Sequence, residues 1–136
     1  MDILIVDDDT DLATTLGEVL EASGHTVRVA FDGAQGLAAM DERLPDLILL
    51  DVEMPILDGP GMAYRILARD AGRELVPIVV SSGYAEIDAV AARIGTPYNL
   101  RKPCSLDVLN ATIERAFREK RAPCPPPQFR PPEPRP

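Results

Sequence analysis

The sequence is short of cysteine, of clustered positive charge and of long apolar runs, and each shortage removes a class of protein. Its two cysteines, Cys104 and Cys124, make neither a disulfide framework nor a metal-binding set and read as reduced thiols. The single histidine, His25, follows Gly24 in a helix-to-strand turn and carries no catalytic expectation. Lys and Arg number 14 against 22 Asp and Glu, a net charge of −8, which argues against direct binding to a nucleic-acid backbone. No stretch approaches the roughly 20 apolar residues that cross a bilayer. The amino terminus is a strand start containing Asp2 rather than a basic region before an apolar one, so no secretion signal is expected and the cytoplasm is the expected location.

What is present is an alternation of apolar runs and helical patterns along 136 residues, a length suited to one domain with a proper core. ILIV (3–6) reads as a buried strand, and Leu12, Leu16, Val19 and Leu20 then share one helical face that ends at Ser23-Gly24. TVRVA (26–30) alternates as a half-buried strand, and Gly33 to Arg43 reads as a second helix. Leu47 to Leu50 is a short apolar strand, and Asp58-Gly59-Pro60 marks a turn into a third helix reaching about Asp70. Pro77 to Val80 is the next strand, Glu86 to Arg93 a short helix, and Tyr98 to Arg101 a weaker fifth strand. Ser105 caps a last helix with Leu106, Leu109, Ile113, Ala116 and Phe117 as its buried stripe. Five such units imply an α/β fold, a doubly wound parallel sheet with helices on both faces.

Residues 1–120 form this domain. Residues 121–136 differ in kind, with eight prolines in sixteen residues. They are expected to be a disordered, extended tail, or more sharply a proline-rich docking segment in which Phe129 is the apolar anchor. The tail holds Arg121, Arg130 and Arg135 against Glu133, which leaves about ten net negative charges on the domain itself.

In a parallel open sheet, ligands gather outside the carboxyl ends of the strands. The first strand runs directly into Asp7, Asp8 and Asp9, the third into Asp51, the fourth into Ser81, Ser82 and Gly83, and the fifth into Lys102-Pro103. Asp7, Asp8 and Asp51 would converge and could not all ionise without a partner. A hard divalent cation suits them, Lys102 supplies a fixed positive charge, and Ser82 offers a hydroxyl donor. Together they are the parts needed for phosphoryl transfer. Asp9 is more simply the cap of the first helix, and Asp2, Asp11 and Asp58 are surface, cap or turn residues.

VDDD (6–9), LLDVEMPILDG (49–59), VVSSGY (79–84) and RKP (101–103) resemble the receiver domain of bacterial two-component response regulators, over residues 1–120 and in the family's order. The resemblance implies a flavodoxin-like fold with five strands in the order 2-1-3-4-5 and five helices. It implies that Asp51 is the phosphoacceptor, and that Asp7, Asp8, Asp51 and the backbone carbonyl of Glu53 bind Mg²⁺, with Mn²⁺ as the alternative. Lys102 would pair with the phosphoryl oxygens, Ser82 and Gly83 would close on the phosphate, and Pro103 would shape the lysine's loop. A phosphoryl group adds up to about two negative charges, enough to draw Ser82 and Lys102 toward it and bias the following loop. Such a protein is no enzyme beyond its own phosphorylation and dephosphorylation. Its partners would be a sensor histidine kinase or histidine phosphotransfer protein and a downstream protein, as a monomer or a weak phosphorylation-dependent dimer, with no nucleic acid and no membrane. With nothing after residue 120 able to fold, it is expected to be a stand-alone receiver acting by protein–protein interaction.

Two positions depart from the pattern. The aromatic that usually stands three before the lysine is Asn99, with Tyr98 one earlier, so Tyr84 or Tyr98 is the candidate switch aromatic; SGY without the usual aromatic is similar to the single-domain FATGUY subgroup. Cys104 stands where Phe often follows K-P. Glu53, two after the phosphoacceptor, is placed to tune hydrolysis of the acyl phosphate. Two other readings compete. A haloacid-dehalogenase-like phosphatase would use Asp7 and Asp9 as a D-x-D pair, but its expected threonine is Asp11 and LLDVEMP goes unexplained. A degenerate receiver would act only as an interaction module.

Overall fold

The computed structural model describes residues 1–52, 59–83 and 87–125. Five strands, β1 (Asp2–Val6), β2 (Thr26–Ala30), β3 (Leu47–Asp51), β4 (Ile78–Ser82) and β5 (Tyr98–Arg101), alternate with α1 (Thr10–Ala22), α2 (Gly33–Glu42), α3 (Gly59–Arg73), α4 (Ile87–Ile94) and α5 (Leu106–Glu119). Every pairing is parallel and the strand order is β2-β1-β3-β4-β5, the doubly wound arrangement.

The apolar strands divide their side chains between two cores because successive residues face opposite sides. Leu4, Val6, Ile48, Leu50, Ile78 and Val80 meet Leu67, Ala68 and Ala71 of α3 and Ile87, Ala91 and Ile94 of α4. Ile3, Ile5, Leu47, Leu49, Val79, Tyr98 and Leu100 meet Ala13 and Leu20 of α1 and Leu109, Ile113 and Ala116 of α5. Burial on both faces explains why β3 reads LILLD, without alternation.

Helix starts follow local chemistry. Asp9, Asp32 and Ser105 each accept a hydrogen bond from the backbone N–H three residues on, at 3.1, 2.7 and 3.2 Å, which satisfies a donor that the first turn would otherwise leave unpaired. Strand ends are less local. The expected fourth strand stops at Val80, yet the ladder continues, with Asp51 opposite Ser81 and Ser82 opposite Arg101. Asp51 and both serines are thus the last rungs of strands, held by neighbouring backbone rather than by a turn. The third helix likewise continues to Arg73.

The expectation of an exposed tail beginning at residue 121 is corrected at its first residues. α5 ends on Lys120 at φ 53°, and the chain turns back so that Pro123 is buried and the Cys124 N–H donates to Gly95 O at 3.0 Å. Two glycines admit it. A Cβ on Gly72, inside α3, would stand 2.6 Å from Pro123 O, and a Cβ on Gly95 would run into the Cys124 backbone. Residues 126–136, Phe129 among them, lie outside the described residues.

Candidate phosphoryl-transfer site

β1 delivers Asp7 to the rim of the sheet with its backbone still in the ladder, its N–H donating to Ala30 O at 3.0 Å. The side chain is 1% exposed and accepts the Asp9 N–H at 2.9 Å. Asp8 turns outward and is exposed. Asp51, at the end of the central strand, is 3% exposed. One carboxylate oxygen from each of these three lies within 4.8 Å of the others.

Among the described residues, one cation faces them. The Lys102 N–H donates to Ser82 O at 2.9 Å, which fixes the start of the loop after β5 beside the end of β4, and the Lys102-Pro103 peptide is cis. From there Nζ lies 3.0 Å from Asp51 Oδ1 and 3.6 Å from Asp7 Oδ2. Three carboxylates and one ammonium leave the cluster short of positive charge. Burial pushes the Asp51 carboxyl up to about 7; Lys102 pulls it down and Asp7 pushes it further up. Asp51 Oδ1 has no aligned hydrogen bond, so the 3.0 Å approach of Lys102 is a point-charge contact.

These features fit a hard divalent cation: oxygen donors only, two buried and one at the surface, gathered within one ion's reach, with an excess of negative charge and an orphaned buried carboxylate oxygen. Asp9 is exposed and caps α1 through the Leu12 N–H, so the D-x-D pair required by a phosphatase reading is not assembled.

Of the remaining predicted residues, Ser82 reaches the same rim, 1% exposed, and Gly83 follows it in an exposed bend. Glu53 and Tyr84 lie outside the described residues. Tyr98, the other candidate switch aromatic, does not lie at this rim. It pairs with Val79 at the opposite end of β5, about 10 Å below the Ser82 rung at 3.3 Å per residue. Its ring is buried in the α1–α5 core, its hydroxyl donates to Glu119 Oε1 at 3.0 Å, and the Arg115 guanidinium sits 5.1 Å from the ring centre. Period two separates the two positions: Asn99 and Tyr98 point to opposite faces, so an aromatic moved by one residue does not take its neighbour's place. Sequence reading also gave Ser81 no role of its own. Its alternation with Ser82 places it on the α1–α5 side, where it is 6% exposed.

Comparison with known proteins decides the family. The profile described as response regulator receiver domain matches residues 3–114. The chain belongs to the response regulator receiver domains. It is 36% identical over 120 residues to the transcriptional regulatory protein PrrA of Mycobacterium tuberculosis, covering 87% of this chain and 50% of that protein. Among solved structures it is similar to the receiver domain of NtrX from Brucella abortus, with a TM-score of 0.71, 34% identity, and coverage of 86% of this chain and 98% of that one. A CheY-like receiver domain protein from Methanospirillum hungatei superposes with a TM-score of 0.74 at 26% identity over 88% of this chain and 94% of that one. The receiver spans about half the length of PrrA. Among the described residues, no helix is long and apolar enough to cross a membrane.

Proposed function

We propose that this receiver takes a phosphoryl group onto Asp51 from the phosphohistidine of a sensor histidine kinase or histidine phosphotransfer protein. The observation that carries the reading is Lys102 Nζ, 3.0 Å from Asp51 and 3.6 Å from Asp7, a fixed cation beside the one carboxylate that is both buried and short of hydrogen bonds. An Asp51 oxygen attacks phosphorus, the P–N bond to the donor histidine breaks, and the imidazole leaves with the electron pair and takes up a proton. Lys102 neutralises charge on the transferring oxygens, and Ser82, at the end of the neighbouring strand, supplies a hydroxyl to the new phosphate.

Asp7, Asp8 and Asp51 would hold Mg²⁺, with the Glu53 carbonyl as the further ligand; the ion supplies charge neutralisation that three carboxylates and one lysine lack. Within this reading the protein turns over no substrate beyond its own phosphoryl group. The phosphorylated rim biases the segment after β4, and the output is contact with a downstream protein in a phosphorelay in the cytoplasm.

Intact mass after incubation with Mg²⁺ and acetyl phosphate tests it. One added phosphoryl group is expected in the wild type and none in Asp51→Asn. An unmodified wild type, with phosphorylated kinases also tried and rapid turnover excluded, would leave the phosphate-independent interaction module as the better account.

A further inference from the structure

Lys102 has a second side. Away from the acidic cluster its loop forms one wall of a cavity of about 300 Å³ between α1, α5 and the sheet, a size at the low end of small-molecule sites. Leu12 and Leu16 of α1, Leu49 of β3 and Leu109 of α5 line it. One polar group faces these leucines. Ser81, 6% exposed, lines the cavity, and its hydroxyl has no hydrogen-bond partner among the described residues. That hydroxyl opens onto the cavity, where a ligand's hydrogen-bonding group can take the place of water. Cys104, which lines the cavity with Pro103 from the lysine's loop, is a small side chain where a large one would close the space.

We propose that this cavity is a binding site for a compact, uncharged apolar molecule carrying one hydroxyl or carbonyl group, seated on Ser81 behind Lys102. Its walls dictate the ligand's chemistry. They are almost wholly apolar, which excludes a charged body. The one cation in the lining, Lys102, has its ammonium committed to Asp51 and Asp7. A single polar anchor at the base and apolar walls above it select one polar end on an apolar body. An occupant packs against the loop that carries Lys102 and restricts where Nζ can move. Occupation therefore changes the rate of phosphoryl acceptance, a consequence that rests on the reading of Asp51 given above.

The probe is 2-naphthol, titrated into the full chain without Mg²⁺ or phosphodonor and followed by amide chemical shifts. Saturable binding is expected, with shifts centred on residues 12–16, 81 and 100–109. Ser81→Ala should weaken it roughly fivefold. Cys104→Phe, a rim substitution that fills the mouth, should weaken it at least tenfold while the melting transition persists. Saturating probe should then alter phosphorylation by acetyl phosphate at least about twofold in the wild type and leave Cys104→Phe unaffected. Absence of saturable binding, or an affinity that neither variant changes, overturns the site. Binding that leaves the rate of phosphorylation untouched overturns the link through Lys102. A wild type that binds the probe but never accepts phosphate supports the site and defeats the phosphoacceptor reading instead.

Discussion

The two rims of the sheet both gather charge, and they balance it differently. Near the amino-terminal rim, Asp2 meets two guanidinium groups, Arg43 Nε at 2.8 Å and Arg28 Nε at 3.4 Å. Arg28 also donates to the carbonyls of Ala39 and Arg43 at 2.8 and 2.7 Å, and Asp46 accepts the Asp2 N–H at 2.8 Å. Each charge there has an opposite charge or a dipole. At the carboxyl rim, three carboxylates share one lysine, and a buried oxygen of Asp51 lacks an aligned hydrogen bond. One rim ties β1 to β2 and α2; the other keeps an excess of negative charge that a bound cation or a proton on Asp51 can relieve.

The largest effect expected from breaking the comparison is chemical. Lys102→Ala removes the one cation in the carboxyl-rim cluster, and phosphorylation by acetyl phosphate should fall by about two to three orders of magnitude, as for loss of a single electrostatic stabiliser. Intact-mass time courses of wild type and variant measure it.

Next come opposite signs of stability. Asp51→Asn removes a repelled buried charge and should raise the unfolding free energy at pH 8, without Mg²⁺, by about 1–3 kcal/mol. Asp2→Asn breaks a balanced cluster and should lower it by about 1 kcal/mol. Denaturant melts of the two variants read both, and a common sign would erase the distinction between the rims.

The pH dependence sharpens the same contrast. Asp51 is raised to about 7 from an ordinary value of 3.8, so between these values the folded chain holds a proton that the unfolded chain has released. Its contribution to stability is complete below the unfolded value and is lost as pH rises through the folded one. The difference in melting temperature between wild type and Asp51→Asn should therefore widen from pH 4 to pH 8 in the variant's favour. Mg²⁺ should close it, stabilising the wild type more at pH 8 than at pH 5.

Smaller again is Tyr98→Phe. Loss of the hydrogen bond to Glu119 at 3.0 Å should lower the melting temperature by a few degrees and leave the rate of phosphorylation unchanged. A changed rate would return Tyr98 to the switch.

Much of this fold was legible because its signals are local. Apolar runs of four or five residues between capped helical stripes gave five β–α units, and Asp9 and Ser105 cap as their positions suggest. The cluster was legible for a topological reason: parallel strands bring their carboxyl ends to one rim, so Asp7, Asp51 and Lys102 had to meet once the units were counted. Strand ends were harder, since Ser81 and Ser82 lie in β4 only through pairing with neighbours far along the chain. The seat of Pro123 was invisible, because a proline-rich composition predicts an extended backbone and says nothing of Gly72 and Gly95 leaving room for it. The facing of Tyr98 turned on a register of one residue, which no aromatic count resolves.

The most direct test of the account is to locate the phosphoryl group. An aspartyl phosphate is reduced by borohydride to homoserine, whereas free carboxylates are not. After incubation with Mg²⁺ and acetyl phosphate, borohydride treatment and peptide mapping should find homoserine at position 51 alone, in the wild type and not in Asp51→Asn. Homoserine at Asp7 or Asp8, or none in a chain whose mass shows the added phosphoryl group, would contradict the assignment of Asp51 as acceptor.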